Sequence, residues 1–176
     1  MSSGMSPTSA MLGALVARLV SGGQTGVDRA ALDFAIAHGI PHGGWCPAGR
    51  KASDGPLEVR YLLQETESEG WSQRTGFNVR DSDATLILIR GPLVGGSLLT
   101  QKFAWRLHRP VRVLDLPDDS ALIPADSDLD EVLTWLRETN VKVLNVAGPG
   151  EERVPGVYRQ ALLVLARLHE LGRGGW

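Results

Sequence analysis

Val20 to Arg29 reads VSGGQTGVDR. An apolar run from Ala14 to Val20 leads into Ser21-Gly22-Gly23, and Gly26 then opens an amphipathic segment. A strand, a glycine-rich turn and a helix amino terminus follow one another in the order that a backbone anion site requires. Glycine has no Cβ, so it accepts positive φ and lets a ligand approach main-chain amides. The first N–H groups of a helix lack partners inside it, and the macrodipole makes that end partly positive. A phosphate set there meets donors already aimed at it. The same residues would also make a tight turn with nothing bound. Three glycines beside Ser21, Gln24, Thr25 and Arg29 favour binding.

Downstream of the turn, Val27, Ala30, Ala31, Phe34 and Ala35 recur at helical spacing and predict a core-facing stripe. Gly39 and Pro41 stop that helix. Ile40 to Cys46 (IPHGGWC) predicts a short second strand, weakened by Pro41 and by Gly43 and Gly44, which would alternatively mark a close backbone approach. Pro47 to Pro56 is a turn-rich loop carrying Arg50, Lys51 and Asp54. Leu57 to Leu63 suggests one or two helical turns, Glu65 to Trp71 a loop, and Gln73 to Arg80 a short helix. So long a connection suggests a functional insertion or lid.

Ala84 to Arg90 (ATLILIR) is continuously apolar, as a parallel strand buried on both faces must be. Gly91 to Gly96 forms a second glycine loop, with Ser97 as the expected N-cap of a helix bearing Leu98, Leu99, Phe103, Trp105 and Leu107. Val111 to Leu116 is a fourth strand, Ser127 caps a helix with buried Leu129, Val132, Leu133 and Leu136, and Lys142 to Val146 is a fifth strand. A third glycine loop, Ala147 to Gly156, precedes a closing helix from about Val157 to Leu171 that Gly172 ends. Met1 to Gly13 has little pattern and reads as a flexible leader, with residues 14–176 as a single ligand-binding domain.

Strands alternating with helices predict an α/β fold: a Rossmann-like three-layer sandwich with a mainly parallel sheet of about five strands. In such sheets the ligand lies beyond the carboxyl ends of the strands, where connections diverge. The loops beginning at Gly22, Pro47, Gly91 and Gly148 all leave strand carboxyl ends, so they are expected to converge on one crevice.

Bulk properties narrow the function. A net charge of −2 argues against a general nucleic-acid footprint, which needs a strongly basic face. A single cysteine makes an internal disulfide framework impossible. No apolar run reaches the length of a membrane span. Gly22 to Gly26 is not GxGxxG, no acid ends the second strand, and no Gly-Lys-Ser/Thr follows a glycine loop, so ordinary NAD and P-loop nucleotide sites are disfavoured. His38, His42, His108 and His169 show no metal-ligand spacing.

Several side chains carry two readings each. Asp28 either holds a water or cation-bridged phosphate, or only complements the helix dipole. Arg29 either pairs with a phosphate or lies on the exposed helix face. Cys46 is a soft metal ligand, a nucleophile or a small buried hydrophobe. Arg74 and Arg80 flank a helix from which they could reach the crevice, although Arg80 could equally pair with Asp81 or Asp83. Trp45 and Trp71 either stack on a flat ring or pack in the core.

Five segments together resemble a known family: SGGQTGVDRAALDFA from Ser21, IPHGGWCPAGRKASDGP from Ile40, RTGFNVRDSDATLIL from Arg74, RGPLVGGSLLT from Arg90 and LNVAGP from Leu144. Their order and spacing are similar to those of the molybdenum-cofactor carrier proteins, the circularly permuted YpsA-like branch of the SLOG superfamily that includes the cytokinin-activating LOG enzymes. The resemblance implies a cytoplasmic, usually homo-oligomeric Rossmann-like protein that binds molybdenum cofactor, a pterin with a dithiolene-bound oxo-metal and a phosphate, without catalysis. Molybdoenzymes are the implied partners, and neither nucleic acid nor membrane is. The residues matching that role are Gly22, Gly23, Gln24, Thr25, Gly26, Arg29, Arg50, Lys51, Gly95, Gly96, Ser97 and Gly148. The alternative is a LOG-like phosphoribohydrolase or a nucleotide sensor taking a nucleotide monophosphate. LOG enzymes place a catalytic Glu after the double glycine, whereas Gly95-Gly96 here is followed by Ser97-Leu98-Leu99-Thr100-Gln101-Lys102. Base release through an oxocarbenium-like step wants a positioned carboxylate there.

Overall fold

The computed structural model describes residues 15–173, so the expected leader lies outside the described residues. The elements are β1 (Arg18–Val20), α1 (Val27–Ala37), β2 (His42–Gly43), β3 (Trp45–Cys46), β4 (Gln64–Glu65), α2 (Trp71–Arg80), β5 (Ala84–Ile89), α3 (Gly95–Arg106), β6 (Val111–Asp115), α4 (Asp126–Glu138), β7 (Val143–Ala147) and α5 (Val157–Arg173). Five strands form one parallel sheet in the order β2-β1-β7-β5-β6. Interior strand β5, between β7 and β6, is buried along its whole length, as its largely apolar sequence predicts. Ala84, Leu86 and Leu88 on one of its faces join Leu19, Leu144 and Val146 in a core shared with α1, α4 and α5. Alternation turns Thr85, Ile87 and Ile89 to the other face, the side of α2 and α3, which pack on each other. The fold is thus the Rossmann-like α/β sheet flanked by helices that the sequence predicts.

The expected stripe on α1 is buried throughout: Val27, Ala30, Ala31, Phe34 and Ala35 are all in the core. Local boundaries differ in physically instructive ways. Ile40 to Cys46 is two short strands rather than one, because Gly44 turns the chain at φ 124° between β2, which pairs with β1, and β3, which pairs with β4 in a separate two-stranded sheet. A Cβ on Gly44 would overlap the Ser21 carbonyl, so the close approach suspected there is made by the protein's own backbone. Leu57 to Leu63 forms no helix: its carbonyls accept from the Arg50 side chain, and its internal amide bonds, Tyr61 to Glu58 and Leu63 to Tyr61, are isolated turns rather than a helical ladder. Helix α2 begins earlier than expected, at Trp71.

Ser97 and Ser127 are not N-caps. Helices α3 and α4 start at Gly95 and Asp126, with Val94 and Ala125 as N-caps and no side-chain cap bond. Gly172 does not end α5, which continues to Arg173. On α3 the buried residues are Ser97, Thr100 and Ala104, while Trp105 and Leu107 are exposed. Small side chains let that helix approach the sheet closely. Gly76 lets α2 lie close to α3, because a Cβ there would press on the Phe103 ring at 3.1 Å.

Residues 47–66 fold back over α1. Cys46, Ala52, Leu57, Tyr61 and Leu63 form a second small cluster with Leu32. Among the described residues no helix is long and apolar enough to cross a membrane.

Candidate functional site

Chain direction changes sides at the middle of the sheet. From β1 the connection runs outward to β2, and from β5 it runs the opposite way to β6, with β7 between them. A crevice of about 440 Å³ opens at the carboxyl ends of β1, β7 and β5. Gln24 and Asp28 line it from the first glycine loop, Gly96 and Ser97 from the second, and Gly148 and Gly150 from the third. Trp71, Arg74 and Thr75 of α2 close one side. Three of the four expected loops thus meet at the place where open α/β sheets bind ligands, whereas the loop that begins at Pro47 supplies none of the lining.

The candidate residues divide into those that face this crevice and those that build its frame. Gln24, Gly96, Ser97 and Gly148 line it. Gly22 underlies it: a Cβ there would overlap the Arg74 guanidinium. Gly95 (φ 56°) lies beneath Arg153. Gly23 is roofed by Leu57 and Leu63, at 2.7 and 2.8 Å from where a Cβ would stand. Gly26 is packed against the Pro149 carbonyl, to which the Val27 amide donates at 3.2 Å. Thr25 donates its hydroxyl to Glu152 at 2.7 Å, and Gln24 Oε1 accepts from the amides of Thr25 and Ser53.

The three charged candidates all stand outside the lining. Arg29 gives Nε and Nη2 to the Gly23 carbonyl and pairs with Asp54. Arg50 is consumed by four carbonyls of the 57–63 segment. Lys51 holds Nζ 5.7 Å from the Trp71 ring centroid, at the rim.

Electrostatically the crevice is positive. Arg74, Arg90 and Arg153 line it, and the sole carboxylate among its lining residues is Asp28. Arg90 is braced by Gln160 Oε1 at 3.1 Å and by the Pro155 carbonyl. Helix α3 adds its amino terminus: its first internal bond runs from the Leu98 amide to the Val94 carbonyl, leaving the amides of Gly95, Gly96 and Ser97 directed outward. Asp28 is 2% exposed and receives Arg74 Nη1 at 3.1 Å. Burial lifts its carboxyl above the usual range, although Arg74 and the Gln24 amide pull the other way.

Of these groups, Arg90 and Arg153 escaped the sequence reading. Arg90 closes a predicted strand and Arg153 stands in the loop that leaves another, a signal present in RGPLVGG and in AGPGEER. The Asp28–Arg74 pair links positions 46 residues apart, which no local pattern exposes. Cys46 is fully buried against Leu32, Leu57 and Tyr61, and desolvation pushes its thiol up, so it is the small hydrophobe of the readings weighed. Trp45 stands edge-on to Phe77, and Arg80 pairs with Asp81 at 2.6 Å. Among the described residues no group of three or more His, Cys, Asp or Glu side chains could hold a metal ion.

This geometry has known counterparts. The circularly permutated YpsA SLOG family matches over residues 19–169. The crystal structure named "Putative molybdenum carrier protein" from Syntrophus aciditrophicus SB is similar at 42% identity and a TM-score of 0.82, over 88% of this chain and 95% of that one. No curated protein matches the chain.

Proposed function

The chain belongs to the circularly permutated YpsA SLOG family, and on that premise we propose that it binds a molybdenum-bearing small anion, molybdenum cofactor first among them, and carries or protects it without a chemical step. The observation that supports this reading is the charge balance of the crevice: three guanidinium groups and the open amino terminus of α3 face a single carboxylate that is already paired. Anions gain most where backbone donors and fixed cations converge away from bulk water. Apolar Ile89, Val94 and Leu99 beside Trp71 offer the flat body of a pterin an apolar wall. In this reading Gly96, Ser97, Gln24 and Gly148 contact the cargo, while Gly22, Gly23, Thr25, Gly26, Arg29 and Arg50 hold the loops that shape its seat. The cytoplasm, a homo-oligomeric state and molybdoenzyme recipients complete the proposal.

Purification of the full chain under anoxic, molybdate-replete conditions tests it, with metal analysis and fluorescence of the oxidised pterin. Molybdenum and pterin approaching one per chain are expected. Absence of both, together with tight nucleotide binding, would defeat the carrier reading.

One observation favours a second reading. Asp28 is the sole carboxyl lining the crevice, held by Arg74 at 3.1 Å, and release of a base through an oxocarbenium-like step wants a positioned carboxylate. A nucleoside monophosphate hydrolase would use it so. Chromatography of nucleoside 5′-monophosphates incubated with the protein separates the two readings, because only the enzyme releases free base.

A further inference from the structure

Arginine carries five N–H donors in a planar fork. Among the described residues the Arg74 guanidinium has one hydrogen-bond acceptor, Asp28 Oδ2 at 3.1 Å. Its Nε is buried with no acceptor at all. A buried donor left unpaired is costly, so native chains keep one where something else supplies the acceptor. The guanidinium lies against Gly22, where any Cβ would overlap it, and both Arg74 and Asp28 line the crevice together with Gly96 and Ser97. The Asp28 side chain is 3% exposed and the Arg74 side chain 13%, so neither charge is relieved by bulk water.

We propose that Arg74 is the cation that seats the crevice anion and that Asp28 is its built-in rival, so that retention of the ligand is set by how the guanidinium is shared between an internal and an external anion. The inference rests on the reading of the crevice as an anion seat. It goes beyond it by assigning the residue pair that sets release. Every other charged group facing the crevice is cationic: Arg90 and Arg153 from the loops, with Lys51 at the Trp71 rim. Asp28 is therefore the one group there that repels the ligand. A carrier that held its cargo with unopposed arginines would surrender it slowly, and a carboxylate bonded to the same fork loosens that hold without changing the shape of the seat.

The test is calorimetric titration of the full chain with inorganic phosphate and with molybdate, using Arg74→Gln and Asp28→Asn beside the wild type. Arg74→Gln is expected to weaken binding of both probes tenfold or more. Asp28→Asn keeps an acceptor for Arg74 but removes the competing charge, and is expected to tighten binding at least threefold at neutral pH. Damage to the fold does not tighten a site, so the sign of that change isolates rivalry from a structural role. Should Asp28→Asn fail to fold, Asp28→Ser carries the same expectation. Unchanged affinity in Arg74→Gln, or weaker binding in a folded Asp28 variant, would overturn the inference alone. Failure of the wild type to bind either probe would overturn it together with the anion-seat reading.

Discussion

Arg29 and Asp54 are joined by two parallel hydrogen bonds of 3.0 Å, and the same guanidinium donates Nε at 3.2 Å to the carbonyl of Gly23. One side chain on α1 thereby ties the first glycine loop to the 47–66 insertion. The Arg29 side chain is 15% exposed and that of Asp54 is 50%, so the two ends of the bond differ in worth. Removing Asp54 takes away a half-solvated partner, and Asp54→Ala is expected to cost about 0–1 kcal/mol. Arg29→Ala also strips the donor from a covered carbonyl and the cation from beside the Tyr61 ring, and is expected to cost about 1–3 kcal/mol. Urea unfolding of both variants checks the order. Equal losses would show that the Gly23 contact contributes nothing. Hydrogen bonding to Arg29 holds the Asp54 carboxyl below its usual range, so the stabilisation it gives is present above the unfolded-state value and fades as pH falls through the folded one.

Arg50 is expected to be the keystone of the insertion. Its Nε and two Nη atoms donate to the carbonyls of Leu57, Glu58, Tyr61 and Leu63 at 2.7 to 3.3 Å. Without them that irregular segment has few backbone bonds of its own. Arg50→Ala should destabilise the protein by roughly 2–4 kcal/mol, as loss of a partly buried hydrogen-bond network does. Limited proteolysis should then cut first between residues 51 and 63. Protection equal to that of the wild type would count against this role.

Both tyrosines of the chain, Tyr61 and Tyr158, donate to the Asp33 carboxylate at 2.7 Å. Burial, then the Asp33 acceptor, push each phenol up to about 12. The neutral phenol is thus the form the fold prefers. Its contribution is complete below the unfolded-state value of roughly 10 and is lost as pH rises towards the folded one. Spectrophotometric titration of the native protein should show no phenolate near pH 10, whereas the urea-unfolded chain should titrate there. Phenolate appearing at the same pH in both would refute the shared carboxylate. In Asp33→Asn both phenols should titrate lower, because the anion that disfavours phenolate is gone.

The sheet was legible because its physics is local: a short run rich in β-branched residues such as ATLILI suits a strand buried on both faces, and the α1 stripe repeats at helical spacing. The convergence of the glycine loops followed from strand direction alone. Helix starts were less legible, since Val94 and Ala125 occupy N-cap positions without any side-chain bond, and Ser97 and Ser127 drew the eye to the wrong places. The charged half of the site was hidden for a different reason. Arg29, Arg50 and Lys51 read as anion ligands because they flank turns, yet their partners Asp54, the 57–63 carbonyls and Trp71 lie elsewhere in the chain. Which of several arginines faces the crevice is a property of tertiary contacts, and a linear reading cannot supply it.

Two glycines of the crevice separate shape from stability. Gly148 sits where a Cβ would overlap the Leu88 carbonyl and the Val27 side chain, so strand β7, strand β5 and helix α1 meet around it. Gly148→Ala must push these elements apart and is expected to cost about 1–3 kcal/mol, with anion affinity falling as the loops spread. Gly96 has open space where its Cβ would stand, and its φ is not in the left-handed region. In the first turn of α3 an alanine is the better helix former, so Gly96→Ala should leave stability unchanged or raise it by up to about 1 kcal/mol. That methyl projects beside the outward-facing amides of α3, however, and should weaken phosphate binding severalfold by holding the anion off them. Denaturant midpoints and calorimetric phosphate titrations on the two variants decide the matter. If Gly96→Ala binds phosphate as the wild type does, the amino terminus of α3 is not where the anion rests.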